Sequence, residues 1–504
     1  MAGAEAAGKA PGDDIAALAK GGRTNLLGFL LRLIARLPFL FIAGRLYGAE
    51  ALGRFASALV VVELVALLCS LGEKRGLAQR LAEGDGPPAN LVADTLLLAF
   101  LLGGGAALFF WFVPQPLFPS GIASDLDRLV VLAIPAYAMT EIVLAAQAYR
   151  FDVATAVRAR AVVEPWTISI AAAALFFVVP AAGLTLAYLA SIYAGLLTAA
   201  WPFARGYGLP VGWRPRPLRL LRLTGKASSL AAADAIEWGT RRIDIFILGL
   251  FAAPAVVGVY WIAQQVASLP QKLKTSFEPI LGPVITANLQ TGNHAAIASQ
   301  VRQVGFWIIA AQIGITLALG IPGEAVMGLV GPNFVGGTGA LAFLLAAEVA
   351  ASLAVVSEAA LVYMARLRNL AISLGTIALQ AALTVGIIQV VNHYGAPPTF
   401  QGAGAALALL LALGTASLVK ARLLGRLLGE RVGNWRWVLV WAAVPAAFVG
   451  WLATWLPEWA ELAFGVAAIL GTYGAIVWRW GFGPEDRKLF RRNLASDSAE
   501  GAAA

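Results

Sequence analysis

The sequence predicts an all-α polytopic membrane protein with about 14 transmembrane helices, arranged as two six-helix lobes plus a C-terminal pair. Of the 504 residues, 60% are hydrophobic and 13% are charged, whereas soluble domains average about 45–50% apolar and about 25% charged residues. Apolar runs of spanning length recur along the chain, separated by charged or Gly/Pro clusters. The Lys and Arg residues concentrate in alternate connections, which is the pattern of a multi-pass protein.

The first lobe follows a cytoplasmic N-terminal tail, residues 1–25. The first apolar run carries Arg32 and Arg36 and is too long for a signal-peptide core, so it predicts an uncleaved span. Five more runs complete an N-lobe over 26–203. The six predicted spans lie near 26–47, 51–72, 91–113, 128–149, 161–180 and 182–203.

The second lobe begins after a basic cytoplasmic connector over 204–226. Its six apolar runs make a C-lobe over 227–425, and two further runs over 437–480, flanked by tryptophans of the interfacial kind, form a terminal pair. Residues 481–504 are then a cytoplasmic tail. The C-lobe spans lie near 227–251, 254–273, 303–322, 337–364, 369–393 and 401–419.

The orientation follows from the basic residues. Only Arg45, Arg54 and Arg128 of the 37 Lys and Arg fall in predicted periplasmic loops, whereas most of the others lie on the opposite side. The positive-inside rule therefore places both termini in the cytoplasm. The formal net charge of +9 is explained by these loops, so no nucleic-acid partner is predicted.

The two lobes resemble each other at an offset of 205 residues. Arg36, Gly44 and Gly53 coincide with Arg241, Gly249 and Gly258, and each half begins with the same element in the same orientation. Such a parallel repeat is one known plan of transporters, with the substrate site between the halves. Chance similarity of apolar helices is the alternative.

Charged residues inside the predicted spans mark the candidate site. In the seventh span, Asp234, Glu237, Arg241 and Asp244 recur at helical spacing on one stripe, and each charge at the bilayer centre costs about 2.5–3.5 kcal/mol. With Arg242, the span carries five charges, which together cost on the order of 12–17 kcal/mol. Its apolar residues return only about 3–5 kcal/mol, so its polar side must face protein or water.

Two interpretations of these charges remain open. Guanidinium groups in a low-dielectric cavity favour an anionic substrate such as a phosphate, with nearby carboxylates available for a coupling ion. Alternatively, the charges form a self-neutralising structural network. The predicted anion-binding residues are Arg32, Arg36, Arg241 and Arg242, and the predicted ion-coupling or cavity residues are Glu63, Asp234, Glu237 and Asp244.

Four segments carry a family resemblance: LGRFASALVVVELVALLCSLG at 52–72, RRIDIFILGLFAAPAVVGVYWIAQQVASLP at 241–270, VGPNF at 330–334 and GAGAAL at 402–407. With the fourteen-span plan, they resemble the polysaccharide transporter branch of the multidrug, oligosaccharidyl-lipid and polysaccharide flippase superfamily. The resemblance implies a flippase in the bacterial inner membrane. It would move polyprenyl-diphosphate-linked oligosaccharide units by alternating access, for lipopolysaccharide or exopolysaccharide synthesis.

The same resemblance implies partners and leaves rival functions. Expected partners are the lipid-linked substrate, membrane lipids, a proton or sodium gradient and a polysaccharide polymerase or export machinery. A drug or metabolite exporter and a lipid-linked peptidoglycan precursor flippase belong to the same superfamily. A membrane glycosyltransferase, ligase or polymerase is the alternative of a different class.

Enzymatic activity is not predicted. The longest predicted periplasmic loop, 114–128, is short for catalytic groups, and no nucleophile constellation occurs in the sequence. One cysteine and two histidines provide too few ligands for a Cys/His metal cluster. No cofactor or metal is therefore predicted.

Overall fold

The structure, a computed structural model, describes residues 35–83, 87–150, 152–208, 210–215, 217–275, 285–483 and 486. Helices dominate this part of the chain, and no strand occurs in it. Ten of its helices are long and apolar enough to cross a membrane, and Val355–Met364 and Val438–Ala453 are shorter apolar helices. The predicted all-α membrane fold is confirmed.

Five helical segments of the described N-lobe are long and apolar enough to cross a membrane, and the first of them, Ala35–Cys69, is divided into two helices. One additional polar helix follows this first segment. The first two helices meet at Gly48, whose φ of +78° and ψ of 175° break the helix, because glycine alone tolerates such angles readily. The helices are α1 (35–47), α2 (Gly48–Cys69), the polar α3 (Glu73–Glu83), α4 (Pro88–Phe112), α5 (Ala133–Tyr149), α6 (Ala154–Phe176) and α7 (Gly183–Tyr207).

The C-lobe repeats this order, and it begins with a helix longer than predicted because part of the basic connector is helical. The predicted span near 337–364 is divided by a turn at Leu353 and Ala354. The helices are α8 (Pro217–Phe251), α9 (Pro254–Thr275), α10 (His294–Gly320), α11 (Gly323–Gly328), α12 (Thr338–Ser352), α13 (Val355–Met364), α14 (Arg366–His393) and α15 (Thr399–Leu428).

The C-terminal pair, α16 (Val438–Ala453) and α17 (Glu458–Gly481), packs on α10. The Asp486 carboxylate contacts both parts. One of its oxygens lies 2.7 Å from the Arg436 guanidinium, which precedes α16. The other accepts a hydrogen bond from the indole N–H of Trp307 of α10 at 2.9 Å. Asp486 is buried, and burial alone raises a carboxyl pKa. The hydrogen bonds from Arg436, Gly483 and Trp307 outweigh that effect and lower the pKa of Asp486.

Candidate substrate cavity

The two lobes meet most closely where α2 crosses α9. A Cβ added to Gly53 would lie 1.7 Å from the Pro254 carbonyl oxygen, and one added to Gly258 would lie 1.9 Å from the Ala49 carbonyl oxygen. Only glycine permits such an approach of two backbones. Pro254 and Gly258 are the residues 205 positions after Ala49 and Gly53, so the contact is reciprocal. The glycine crossing, as we call these four residues, therefore lies between the repeated halves.

The repeat extends to the side chains beside this crossing. In the N-lobe, the rings of Phe39 and Phe55 pack with centroids 6.3 Å apart. The equivalent C-lobe residues are Asp244 and Tyr260, and there the fully buried Asp244 carboxylate accepts a hydrogen bond from the Tyr260 hydroxyl. The predicted cavity residue Asp244 thus lies inside the α8–α9 interface, in the place that an aromatic ring occupies in the other lobe.

Three predicted site residues come together between the lobes. Arg242 of α8 forms an ion pair with Glu63 of α2 at 3.6 Å, which links the C-lobe to the N-lobe. Arg36 of α1 interacts electrostatically with both of these residues and with Glu164 of α6. Its side chain is nevertheless solvent-accessible. Arg36 therefore lies near charged groups on helices of both lobes. The space between the lobes beside these residues is here called the central cavity.

Arg241 is the repeat equivalent of Arg36, and it is half-buried on α8. Its backbone carbonyl accepts a hydrogen bond from Gln264 at 3.1 Å. Within the part of the chain that the structure describes, no carboxylate lies within ion-pair distance of the Arg36 or the Arg241 guanidinium. Each lobe therefore presents one arginine whose hydrogen-bond donors are not used by a described acid.

The sequence analysis missed a second charged cluster, which lies within the N-lobe. Arg160 of α6 contacts Glu141 of α5 and pairs with Glu164 at 2.9 Å, and its guanidinium stacks 4.6 Å from the centre of the Tyr137 ring. Arg160 precedes the predicted fifth span near 161–180, whereas α6 begins before it. Arg160 and Glu164 are four residues apart, and this spacing predicts that the two side chains lie on the same face of a helix.

The other predicted site residues are distributed differently. Arg32 lies outside the described residues, and the same holds for the side chain of Glu237. Asp234 is buried within α8. In the described ranges, no three His, Cys, Asp or Glu side chains come close enough together to hold a metal ion.

These positions allow a chemical interpretation of the cavity. Arg160 is surrounded by acids, so its charge is neutralised locally, and Arg242 shares its charge with Glu63. Arg36 and Arg241 keep guanidinium forks that match the geometry of phosphate oxygens. The described cavity can thus attract an anion through one arginine from each half of the repeat.

Comparison with known proteins identifies the family. Residues 42–308, just over half of the chain, match the sequence family described as polysaccharide biosynthesis protein. The chain belongs to this polysaccharide biosynthesis protein family. No curated protein matches this family member significantly in sequence.

Solved structures of flippases and transporters share the fold of this polysaccharide biosynthesis protein. The lipid II flippase MurJ, in an inward closed conformation, matches with a TM-score of 0.69 at 10% identity, over 92% of this chain and all of MurJ. An inward-facing multidrug resistance MATE family transporter matches with a TM-score of 0.65 at 16% identity, over 81% of this chain and 98% of that one. A Vibrio cholerae MATE transporter gives a TM-score of 0.56 at 14% identity, over 83% of this chain and all of that one. The resemblance noted in the sequence is confirmed, and these folds belong to transporters and flippases.

Proposed function

We propose that this protein flips polyprenyl-diphosphate-linked oligosaccharide units across the bacterial inner membrane for surface polysaccharide synthesis. The observation that carries the proposal is the pair of repeat-related arginines, Arg36 and Arg241, neither of which has a described acid within ion-pair distance. The family match to polysaccharide biosynthesis proteins supports the substrate class. Lipopolysaccharide and exopolysaccharide precursors both carry such a diphosphate.

The diphosphate suits a site made from two equivalent halves. It consists of two phosphoryl groups on one bridging oxygen, and each group accepts the two parallel hydrogen bonds that a guanidinium donates. Arg36 binds one phosphoryl group from the N-lobe and Arg241 binds the other from the C-lobe, with Arg32 and Arg242 adding positive charge. The sugars occupy the hydrated cavity, and the polyprenyl tail stays in the bilayer.

Movement of the substrate requires two conformations of the lobes. The glycine crossing closes the lobes at the end where α1 joins α2 and α8 joins α9, which the positive-inside rule assigns to the periplasm. We infer from this closure a state that receives substrate from the cytoplasmic side, where the positive-inside rule also places both chain termini. Separation of the glycine crossing would then release the substrate outward.

In this proposal, cavity carboxylates couple transport to a proton or sodium gradient. The candidates are Glu63, Asp234, Glu237 and Asp244. Glu63 is the strongest candidate because its 3.6 Å pair with Arg242 joins the lobes. Protonation of Glu63 removes that attraction and favours lobe separation. In proteoliposomes, Glu63→Gln should keep substrate binding and lose its response to an imposed pH gradient, whereas an unchanged response would assign coupling to another group.

The decisive experiment deletes the gene and complements it with arginine variants. Deletion should cause lipid-linked oligosaccharide to accumulate on the cytoplasmic leaflet and surface polysaccharide to disappear. Arg36→Ala and Arg241→Ala should each reduce export about 10- to 150-fold, from the loss of charge-assisted hydrogen bonds worth about 1.5–3 kcal/mol. Arg36→Lys keeps the charge without the paired donors and should restore export only in part.

The matched control is Arg422→Ala, which removes an exposed arginine of the C-lobe that lies on α15. It should export normally at the same protein level. Normal export by both Arg36→Ala and Arg241→Ala would refute the proposed anion site. Unchanged polysaccharide together with new drug sensitivity after deletion would instead favour an exporter of drugs or metabolites.

A peptidoglycan precursor flippase is the second candidate, because the fold of the lipid II flippase MurJ covers 92% of the chain. The two candidates differ in the sugar attached to the same diphosphate-lipid. Rescue of a strain depleted of its lipid II flippase would support this candidate. An interaction with a polymerase or with export machinery of the polysaccharide pathway would instead support the oligosaccharide flippase.

A further inference from the structure

An apolar pocket lies between helices of the N-lobe, and its lining includes none of the predicted site residues. Its volume is about 310 Å³, at the lower end of the roughly 300–1,000 Å³ of ligand sites. Helices α4, α5 and α7 and the segment after α7 enclose it. Its lining includes Ala93, Leu97, Phe100, Met139, Phe203 and Trp213.

The segment after α7 forms a fixed wall over one end of this pocket. Trp213 donates its indole N–H to the buried Asp94 carboxylate at 2.8 Å, and Asn90 donates its side-chain amide to the Val211 carbonyl at 3.2 Å. Both hydrogen bonds hold the segment against α4. The pocket is therefore bounded on one side by a segment that is held in place against α4.

Three arginines lie close along the chain or by contact to the segment that bounds the pocket. Arg150, Arg205 and Arg214 are exposed, and each is near a lining residue: the Arg150 guanidinium stacks on Tyr207, next to the lining residue Gly208, and Arg214 follows Trp213. Arg150 uses one N–H group to bond the Gly206 carbonyl, which leaves most of its five donors available.

Within the described residues, none of the three arginines has an acid within ion-pair distance, and Asp94 beside the lining accepts a hydrogen bond from Trp213. The Arg205 guanidinium lies 4.5 Å from the ring centre of the exposed Trp201, and exposed tryptophans of this kind sit at headgroup depth. The arginines are thus placed where lipid phosphates lie.

We propose that this pocket binds one acyl chain of an anionic phospholipid, whose headgroup phosphate contacts Arg150, Arg205 and Arg214. The apolar lining matches an acyl chain, and the three arginines complement a headgroup that carries net negative charge. The volume of about 310 Å³ limits the pocket to one chain segment. Its lining contains neither Arg36 nor Arg241, so the bound lipid is distinct from the flipped substrate.

The test measures lipid binding to the purified full-length protein by native mass spectrometry. Phosphatidylglycerol and phosphatidylcholine with the same acyl chains are the two probes. Ala93→Trp fills the pocket and should weaken phosphatidylglycerol binding at least about tenfold, and the smaller change Ala89→Leu should act in the same direction if Ala93→Trp fails to fold. Leu108→Trp is the matched control, because Leu108 is an exposed residue of the same helix outside the lining.

A triple variant, Arg150→Ala with Arg205→Ala and Arg214→Ala, tests the headgroup contact. It should weaken phosphatidylglycerol binding on the order of a hundredfold and leave phosphatidylcholine binding unchanged. The charge-matched control replaces three exposed C-lobe arginines, Arg366, Arg368 and Arg422, and should bind both lipids normally.

Three outcomes would overturn the proposal. The first is equal binding of the two lipids by the unmodified protein, which would exclude recognition of the headgroup. The second is normal phosphatidylglycerol binding by both pocket-filling variants. The third is displacement of phosphatidylglycerol by a polyprenyl phosphate in the unmodified protein but not in Ala93→Trp, which would assign the pocket to the substrate tail.

Discussion

The glycine crossing leads to the sharpest prediction, which concerns Gly53→Ala. The new Cβ would lie 1.7 Å from the Pro254 carbonyl oxygen, whereas carbon and oxygen atoms that are not bonded approach to about 3.3 Å. The two helices must therefore separate by about 1.6 Å at this point. No side-chain rotation relieves the overlap, because both partners belong to the backbone.

The energetic consequence follows from this displacement. Overpacking of this kind costs about 1–3 kcal/mol, and it applies only while the lobes touch at the glycine crossing. The substitution should therefore shift the population toward the separated conformation by a factor of about 5–150. Gly258→Ala, which places its Cβ 1.9 Å from the Ala49 carbonyl oxygen, should have the same effect. In the double variant, the second change should add little, since the first has already parted the helices.

Cross-linking at two exposed positions beside the crossing measures this separation. Glu50→Cys and Ala255→Cys are equivalent positions of the repeat, and the buried native Cys69 is replaced by serine throughout. A short bismaleimide should join the two thiols efficiently in the background protein and poorly with Gly53→Ala. The control is Gly105→Ala, whose added Cβ meets nothing within 4 Å. It should cross-link normally and be neutral or stabilised by about 0.5–1 kcal/mol.

The reasoning fails if Gly53→Ala and Gly258→Ala both cross-link and export as well as the Gly105→Ala control. That result would mean that the backbones yield locally without separating the lobes.

Three further predictions concern stability, measured as the unfolding temperature in detergent. Arg160→Ala leaves two carboxylates facing each other and should cost about 3–5 kcal/mol. Asp244→Phe combined with Tyr260→Phe rebuilds the aromatic pair of the other lobe and should be more stable than Asp244→Ala, which leaves a cavity; the reverse order would show that the polar pair is required. The pKa of Asp486 is lowered in the folded protein. The ionised carboxylate therefore stabilises the fold fully above the pKa of about 4 that Asp has in an unfolded chain. This stabilisation is lost as the pH falls through the lower pKa of Asp486 in the folded protein. Asp486→Asn should therefore lose less stability than the unmodified protein between pH 5 and roughly pH 2.

Much of the helical plan could be predicted from the sequence, because apolar length alone decides whether a segment crosses a membrane. The residues at which individual helices begin and end could not be predicted in this way. α6 begins before Arg160, since Asp152 accepts a hydrogen bond from the Thr155 N–H and caps the helix there. The turn at Leu353 and Ala354 carries no glycine or proline and has no local signature.

The candidate site could be predicted only in part. The stripe of charges on α8 was visible because it recurs at helical spacing, and the charges had to face protein or water. The partner of each charge depends on contacts between distant helices. Arg242 pairs with Glu63, and Asp244 pairs with Tyr260. Arg160 pairs with Glu141 on a different helix. Residue spacing along one helix does not predict a contact with another helix.

The reciprocal contact of Gly53 and Gly258 also bears on the origin of the chain. A half-length ancestor that dimerised about a two-fold axis would have set the same glycine against its own copy, and any mutation there would have altered both subunits at once. In a single polypeptide that constraint is absent, because each half can mutate alone. Phe39 and Asp244 illustrate this freedom: they are equivalent positions, and one half has a ring there while the other has an acid.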